Sequence, residues 1–239
     1  MENTPLTGSQ IAKSGFNAEE MMTKQENIKV SLEAYFEKPI KTITKMDCRP
    51  HPNKSDIKIE FHDGTSYSAQ VKNTATSTST STSTTTKMNG RGFSIDRRDV
   101  DKMSPESPEL TETLKAVCLR DKTNERRIVD KIVGVKVLLQ NILGSEESTQ
   151  PHYFIKTESD RVTSEIKKMD ICPRDVFTGK LVDTLYETAV SKKTCVHLSP
   201  NIYLQRKGGT KGEKRPNQIQ TKMRITPDVD SIFTNIYQQ

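Results

Sequence analysis

The chain has no tryptophan, 5% aromatic residues, four histidines and four cysteines in 239 residues. Without tryptophan and with so few other rings, a carbohydrate-stacking platform or an aromatic cage for a cation has little to be built from. The cysteines (Cys48, Cys118, Cys172 and Cys195) lie far apart and form no Cys-x-x-Cys pair. That spacing argues against a zinc ribbon or a disulfide framework and reads as reduced thiols. The histidines are scattered, so a histidine general base has no partners, and neither a Ser-His-Asp nor a Cys-His arrangement can be assembled. No signal peptide is recognisable and no apolar run is long enough to span a bilayer. The expectation is a soluble, intracellular, cytoplasmic protein without a membrane partner.

What is present is polar and basic. Hydrophobic residues make up 32% of the chain and mean hydropathy is -0.71, so polar segments must decorate a modest core. The length suits one moderately large domain, 1–239, with appendages. A net charge of +6 and an isoelectric point near 9.0 suit a polyanionic partner without specifying one. Asn17 can cap a helix that runs through Ala18-Glu19-Glu20 towards Tyr35-Phe36, with Ile28, Leu32 and Tyr35-Phe36 as its buried stripe. Pro39 ends it, and Ile40 to Asp47 reads as a strand. Residues 74–86 are thirteen serines, threonines and one alanine, a composition that buries nothing and reads as a flexible insertion at a loop tip.

The chain is organised around Ser55 to Asn73, SDIKIEFHDGTSYSAQVKN. Asp63-Gly64 between two alternating runs is a hairpin signal. With Asp63, Gly64 and Thr65 as the loop, position 56 lies opposite 72, 58 opposite 70, and 60 opposite 68. One face then carries Ile57, Ile59, Phe61, Tyr67, Ala69 and Val71, and the other Asp56, Lys58, Glu60, Ser68, Gln70 and Lys72. Asp56, Gln70 and Lys72 put an acid, an amide oxygen and an ammonium beside one another. Phosphodiester hydrolysis uses such a set: oxygen donors for Mg²⁺ and a lysine for the attacking water. The same alternation also serves a solvent-facing amphipathic hairpin.

An aspartate, a hairpin, and an acid-x-Lys closing the second strand resemble the PD-(D/E)XK nucleases, the restriction-endonuclease-like superfamily. Two positions depart from its pattern: Ser55 stands where proline is common, and Gln70 replaces the usual acid and leaves the site one negative charge short. The resemblance implies an α/β fold with a mixed central sheet flanked by helices, and duplex DNA in a basic cleft. It implies Mg²⁺ held by Asp56, Gln70 and the Val71 carbonyl, with Lys72 positioning the nucleophilic water. It also implies a further glutamate from the helix before the hairpin. Glu26 is the choice, Glu33 and Glu37 are rivals, and Glu60 on the hairpin could make up the missing charge. A solvated helix charge is the plain alternative for each.

Two basic stretches fit the same partner. Asn89 to Arg98, NGRGFSIDRR, sets Arg91 between glycines and ends in Arg97-Arg98. It lacks the Lys-Ser/Thr pair of a phosphate loop, and a similar Gly-Arg-Gly run follows the catalytic lysine in some restriction enzymes of large DNA viruses. Residues 199–224 hold the second stretch, in which Gln205 to Arg224 carries seven basic residues and one acid. Here Gln205, Arg206, Lys207, Lys211 and Lys214 can follow phosphates or read base edges. Solvated surface loops are the bland alternative in both places. Between them, Glu125 to Leu143 shows a helical stripe of Ile128, Ile132, Val135, Leu139 and Ile142, although Val133 to Leu139 leaves a strand open. Helix is expected over Arg174 to Ala189, and strands over Tyr153–Thr157, Thr194–Leu198 and Ile202–Gln205. The function implied is a type II restriction endonuclease cutting double-stranded DNA, with a homodimer matched to palindromic sites. A repair nuclease of the same fold or a non-catalytic DNA-binding protein would share these features.

Overall fold

The computed structural model describes residues 17–46, 55–76, 93–99, 128–130, 135, 138–139, 143, 150–160, 162–192, 195–207, 218–223 and 227–239. Arg91, Lys211 and Lys214 lie outside the described residues, as do residues 77–86 of the Ser/Thr tract. The chain divides into two compact units. The first is Met1–Ser83, Glu146–Phe177 and Ser231–Gln239, and the second is Thr84–Ser145 and Thr178–Asp230. No helix among the described residues is long and apolar enough to cross a membrane.

The first unit is a mixed α/β layer. Its six-stranded sheet is built from β1 (Ile40–Lys45), β2 (Ile57–Phe61), β3 (Ser66–Thr76), β6 (Tyr153–Asp160), β7 (Ile166–Pro173) and β12 (Thr234–Gln238). They stand in the order β1-β2-β3-β6-β7-β12, with β3 and β6 parallel and the other neighbours antiparallel. The expected apolar face is the buried one. Ile57, Ile59, Phe61, Ala69 and Val71 join Ile155, Met169 and Ile171 in a core that Ile28 and Leu32 of α2 (Glu26–Phe36) complete. Phe36 meets Phe61, Tyr67 and Tyr153 ring to ring at 5.2–5.4 Å. On the other face Phe154 packs on Phe177 of α3 (Arg174–Asp183), with ring centroids 4.3 Å apart. The sheet is thus flanked by helices on both sides.

The helix expected from Asn17 to Phe36 is two helices. Residues 17–24 form α1, and Gln25 breaks it with an extended backbone, φ -80° and ψ 112°. The Gln25 side chain accepts the Ile166 amide at 2.9 Å, which ties the break to the sheet. Asn17 donates to the Ser164 hydroxyl at 2.9 Å instead of capping.

The hairpin forms with a register two residues away from the expected one. Ile57 pairs with Ala69, Lys58 with Ser68 and Glu60 with Ser66. The loop is His62-Asp63-Gly64, closed by the Phe61 amide on the Thr65 carbonyl at 2.9 Å, with Gly64 at φ +83°. Asp63 fixes it by accepting the Thr65 amide at 2.8 Å and hydroxyl at 2.6 Å. A shift of two keeps parity, so both faces survive it. β3 continues through Thr76, pairing Thr74, Ala75 and Thr76 with Glu158, Ser159 and Asp160. The first three residues of the Ser/Thr tract therefore belong to the strand.

The second unit holds an antiparallel sheet of β4 (Phe93–Asp99), β5 (Ile128–Asp130), β8 (Thr188–Lys192), β9 (Cys195–His197), β10 (Ile202–Lys207) and β11 (Gln218–Met223), in the order β4-β11-β10-β9-β8-β5. Ile128 is therefore in a strand and does not begin the helical stripe; of the rest, residues 135, 138, 139 and 143 are helical. Leu138, Leu181, Leu185, Val196, Leu198, Ile202, Leu204, Met223 and Val229 are buried. α3 stops at Asp183, short of Ala189, which lies in β8. A short helix, α4 (Pro227–Asp230), carries Asp228, which meets Lys180 at 2.9 Å.

Candidate active site

β-strand alternation sets the site. Gln70 and Lys72 share the face of β3 opposite Val71, and Asp56 lies just beyond the last ladder pair of β2, its amide donating to the Ala69 carbonyl at 2.8 Å. One Asp56 carboxylate oxygen accepts the Val71 amide at 2.7 Å, which pins the acid between the two β3 side chains in question. Burial pushes the Asp56 carboxyl above the usual carboxylate range. The Lys72 ammonium and the Val71 amide pull it back, Glu19 raises it again, and Lys45 lowers it. Those influences identify the charged groups around Asp56: Lys72, Glu19 and Lys45.

Gln70 is 4% exposed, and its Oε1 is buried with no hydrogen-bond partner among the described residues. An amide oxygen in that position carries an unmet demand for a donor or a cation. Ser55, where the motif often has proline, is buried at 1%. In the next strand, Lys156 stands beside Lys72 in register. Lys156 is spoken for: it pairs with Asp170 at 2.9 Å, both side chains being under 5% exposed. Asp170 also accepts from Asn235 at 2.7 Å and lies 3.4 Å from Lys168.

The structure brings Asp56, Gln70, Val71 and Lys72 together and leaves two expected residues apart. Glu60 pairs with Lys58 at 2.6 Å and accepts from Thr42 at 3.1 Å. It is four residues along the strand from Asp56, about 13 Å at strand rise, because the register places it across from Ser66. Glu26 is exposed in the first turn of α2, and nothing among the described residues links it to Asp56. The helix acid beside Asp56 is Glu19 on α1, held by Lys45 at 2.7 Å and 16% exposed at the side chain. A sequence signal for it exists. Met22 and Ile28, both fully buried, are six residues apart, about 240° out of phase on one continuous helix, so the stripe itself demands a break.

A divalent cation fits this donor set. The orphaned Gln70 oxygen, the buried Asp56 carboxyl and the Glu19 carboxylate are hard oxygen groups of the kind Mg²⁺ takes. No cluster of three His, Cys, Asp or Glu occurs among the described residues, so the amide oxygen is needed to complete the set.

No family model matches the chain, and no curated protein sequence matches it. Among solved structures it is similar to the restriction endonuclease MspI, described in complex with its cognate DNA. That similarity is at 12% identity and a TM-score of 0.45, over 85% of this chain and 81% of that one.

Proposed function

We propose that the chain is a metal-dependent DNA endonuclease of the PD-(D/E)XK type with a Gln-x-Lys variant of the motif. Within that class we assign it as a type II restriction endonuclease that cuts duplex DNA with Mg²⁺ as a homodimer. The observation that carries this reading is the pairing of a buried, upward-shifted Asp56 carboxyl with the partnerless Gln70 oxygen, both next to Lys72. An amphipathic surface hairpin has no reason to bury an acid and an unsatisfied amide together, since each costs stability until something positive arrives.

In the mechanism that follows, Asp56, Gln70 and the Val71 carbonyl hold the cation, and Glu19 on α1 takes the role first given to Glu26. The cation supplies charge neutralisation and polarisation of the scissile phosphate. Lys72 orients the attacking water for in-line displacement and offsets the charge that develops on phosphorus. The Val71 amide keeps the Asp56 carboxylate aimed while this happens. Lys45 balances Glu19 until the cation is bound.

Incubating a mapped plasmid with the protein, with Mg²⁺ or with EDTA, tests the reading. Discrete Mg²⁺-dependent fragments support a restriction enzyme, whereas a smear supports a repair-type nuclease of the same fold. Intact plasmid under all metal conditions overturns catalysis.

A further inference from the structure

We infer that one face of the second unit's sheet is the surface that reads DNA, with Arg97, Gln220 and Gln205 at base edges and Lys222 and Lys207 on phosphates. The inference rests on the reading above only in that the partner is duplex DNA.

The argument comes from register. Gln220 pairs with Arg97 on one side and with Gln205 on the other. Gln205 pairs with Cys195, which pairs with Lys192. One cross-strand row therefore runs Arg97, Gln220, Gln205, Cys195, Lys192. On the same face, the flanking rows are Ser94, Lys222, Tyr203, His197 and Asp99, Gln218, Lys207. This face collects four basic residues against Asp99 alone, together with three glutamines. The opposite face is the core: Val196, Ile202, Leu204, Thr221 and Met223 are at most 3% exposed. Arg98 and Arg206 fall on that core-side row, both paired with Ile219. Parity therefore divides residues that adjacency in sequence had grouped: Arg97, Gln205 and Lys207 lie on one face and Arg98 and Arg206 on the other.

The chemistry of the first face matches duplex DNA. Arginine pairs bidentately with guanine and glutamine with adenine in the major groove, which admits a two-stranded ribbon. Here β4 is the edge strand and β11 its only neighbour, so Arg97 and Gln220 occupy such a ribbon. Lysines in adjacent rows supply the sequence-independent contacts. Tyr203 and His197, both partly exposed, stack with centroids 5.5 Å apart at 28°, giving the face a firm ring pair next to Lys222.

Binding of a fluorescently labelled random-sequence duplex to the full chain in EDTA, titrated with salt, tests the assignment. Arg97→Gln with Lys222→Gln should weaken binding roughly tenfold or more and flatten the salt slope by about 1.8, at ~0.9 per lost phosphate contact. Arg98→Gln with Arg206→Gln should stay within about twofold of the parent, with the parent's slope. Should the first double variant melt early, Lys222→Gln alone should flatten the slope by about 0.9. Equal losses from both faces, or parental binding by the Arg97 and Lys222 variant, would overturn the assignment. Plasmid cleavage separates this from failure of the nuclease reading. A parent that cuts while the Arg97 and Lys222 variant binds normally removes only the surface. A parent that binds and never cuts, with the expected split between faces, removes only catalysis. A parent that does neither removes both.

Discussion

Asp56 carries a cost that a structural residue would not. Because burial raises its carboxyl above the ordinary value of 3.8, the folded chain holds that proton more tightly than the unfolded one. Stability then falls as pH climbs from the unfolded value through the raised folded value, and the loss is complete above it. Asp56→Asn removes the charge and keeps an oxygen for the Val71 amide. In metal-free buffer at neutral pH it should raise the melting temperature, by roughly 2–4 °C per kcal/mol gained, while abolishing cleavage. Scans of parent and variant from pH 4 to pH 8 would check this, the gap closing towards acid; a variant that melts below the parent at neutral pH would show that the ionised carboxylate is stabilising. Mg²⁺ should raise the parent's melting temperature and leave that of the asparagine variant unmoved, since only the native site binds it. The neighbouring glutamates separate in the same way. Glu19→Gln should lower cleavage by tenfold or more, about 1.4 kcal/mol, whereas Glu26→Gln should leave it within twofold. The reverse order in a plasmid-cutting rate assay would return the helix acid to Glu26.

The hairpin shows what elements reveal and what they hide. Its two faces were legible because Ile57, Ile59, Phe61, Tyr67, Ala69 and Val71 alternate with polar residues, and alternation survives a register error of two. The register itself was not legible, since it depends on Asp63 folding its carboxylate onto Thr65 and on which residue takes the left-handed position. Asp56, Gln70 and Lys72 were readable from spacing, whereas Glu19 was not singled out because one helix was drawn through Gln25. β7 and β12 gave little signal. In β7, Lys167, Lys168 and Asp170 interrupt the apolar pattern, and only pairing with Lys156 explains a buried aspartate. The Ser/Thr tract divides where β3 ends. Replacing 77–86 by a short Gly/Ser linker should move the melting temperature little, because loop-closure entropy changes slowly with length. Replacing 74–86 also removes ladder positions opposite Glu158, Ser159 and Asp160. It should lower the melting temperature by several degrees more, and equal melting of the two deletions would show that those pairs contribute nothing.

At the scale of the whole molecule, the first unit is assembled from three separate stretches of chain, and its last strand comes from the final nine residues. β12 pairs with β7, Thr234 to Ile171 and Asn235 to Asp170. Its surroundings complete a buried charge cluster: Asn235 donates to Asp170, and the Phe233 ring lies 5.2 Å from the Lys156 ammonium. The same segment reaches α2, where the Asn27 amide donates to the Tyr237 hydroxyl at 2.6 Å. The sheet that carries Gln70 and Lys72 is therefore not finished until the chain is, and contacts of such long sequence separation slow folding. Ending the chain at Asp230 would strip Asp170 of its amide donor and open the Lys156–Asp170 pair to water. Breaking a buried pair outright costs about 3–5 kcal/mol, and loss of Asn235 and Phe233 should take a substantial part of that. Truncation should thus lower the melting temperature and abolish cleavage even though no proposed site residue is removed. Asn235→Ala in the full chain is the finer variant. It should destabilise by about 1–3 kcal/mol, the penalty of leaving a buried acceptor short of a donor, and retain cleavage below its own melting temperature. Urea unfolding of the two variants reads both effects; a truncated chain as stable as the parent would mean that β12 rests on the sheet without supporting it.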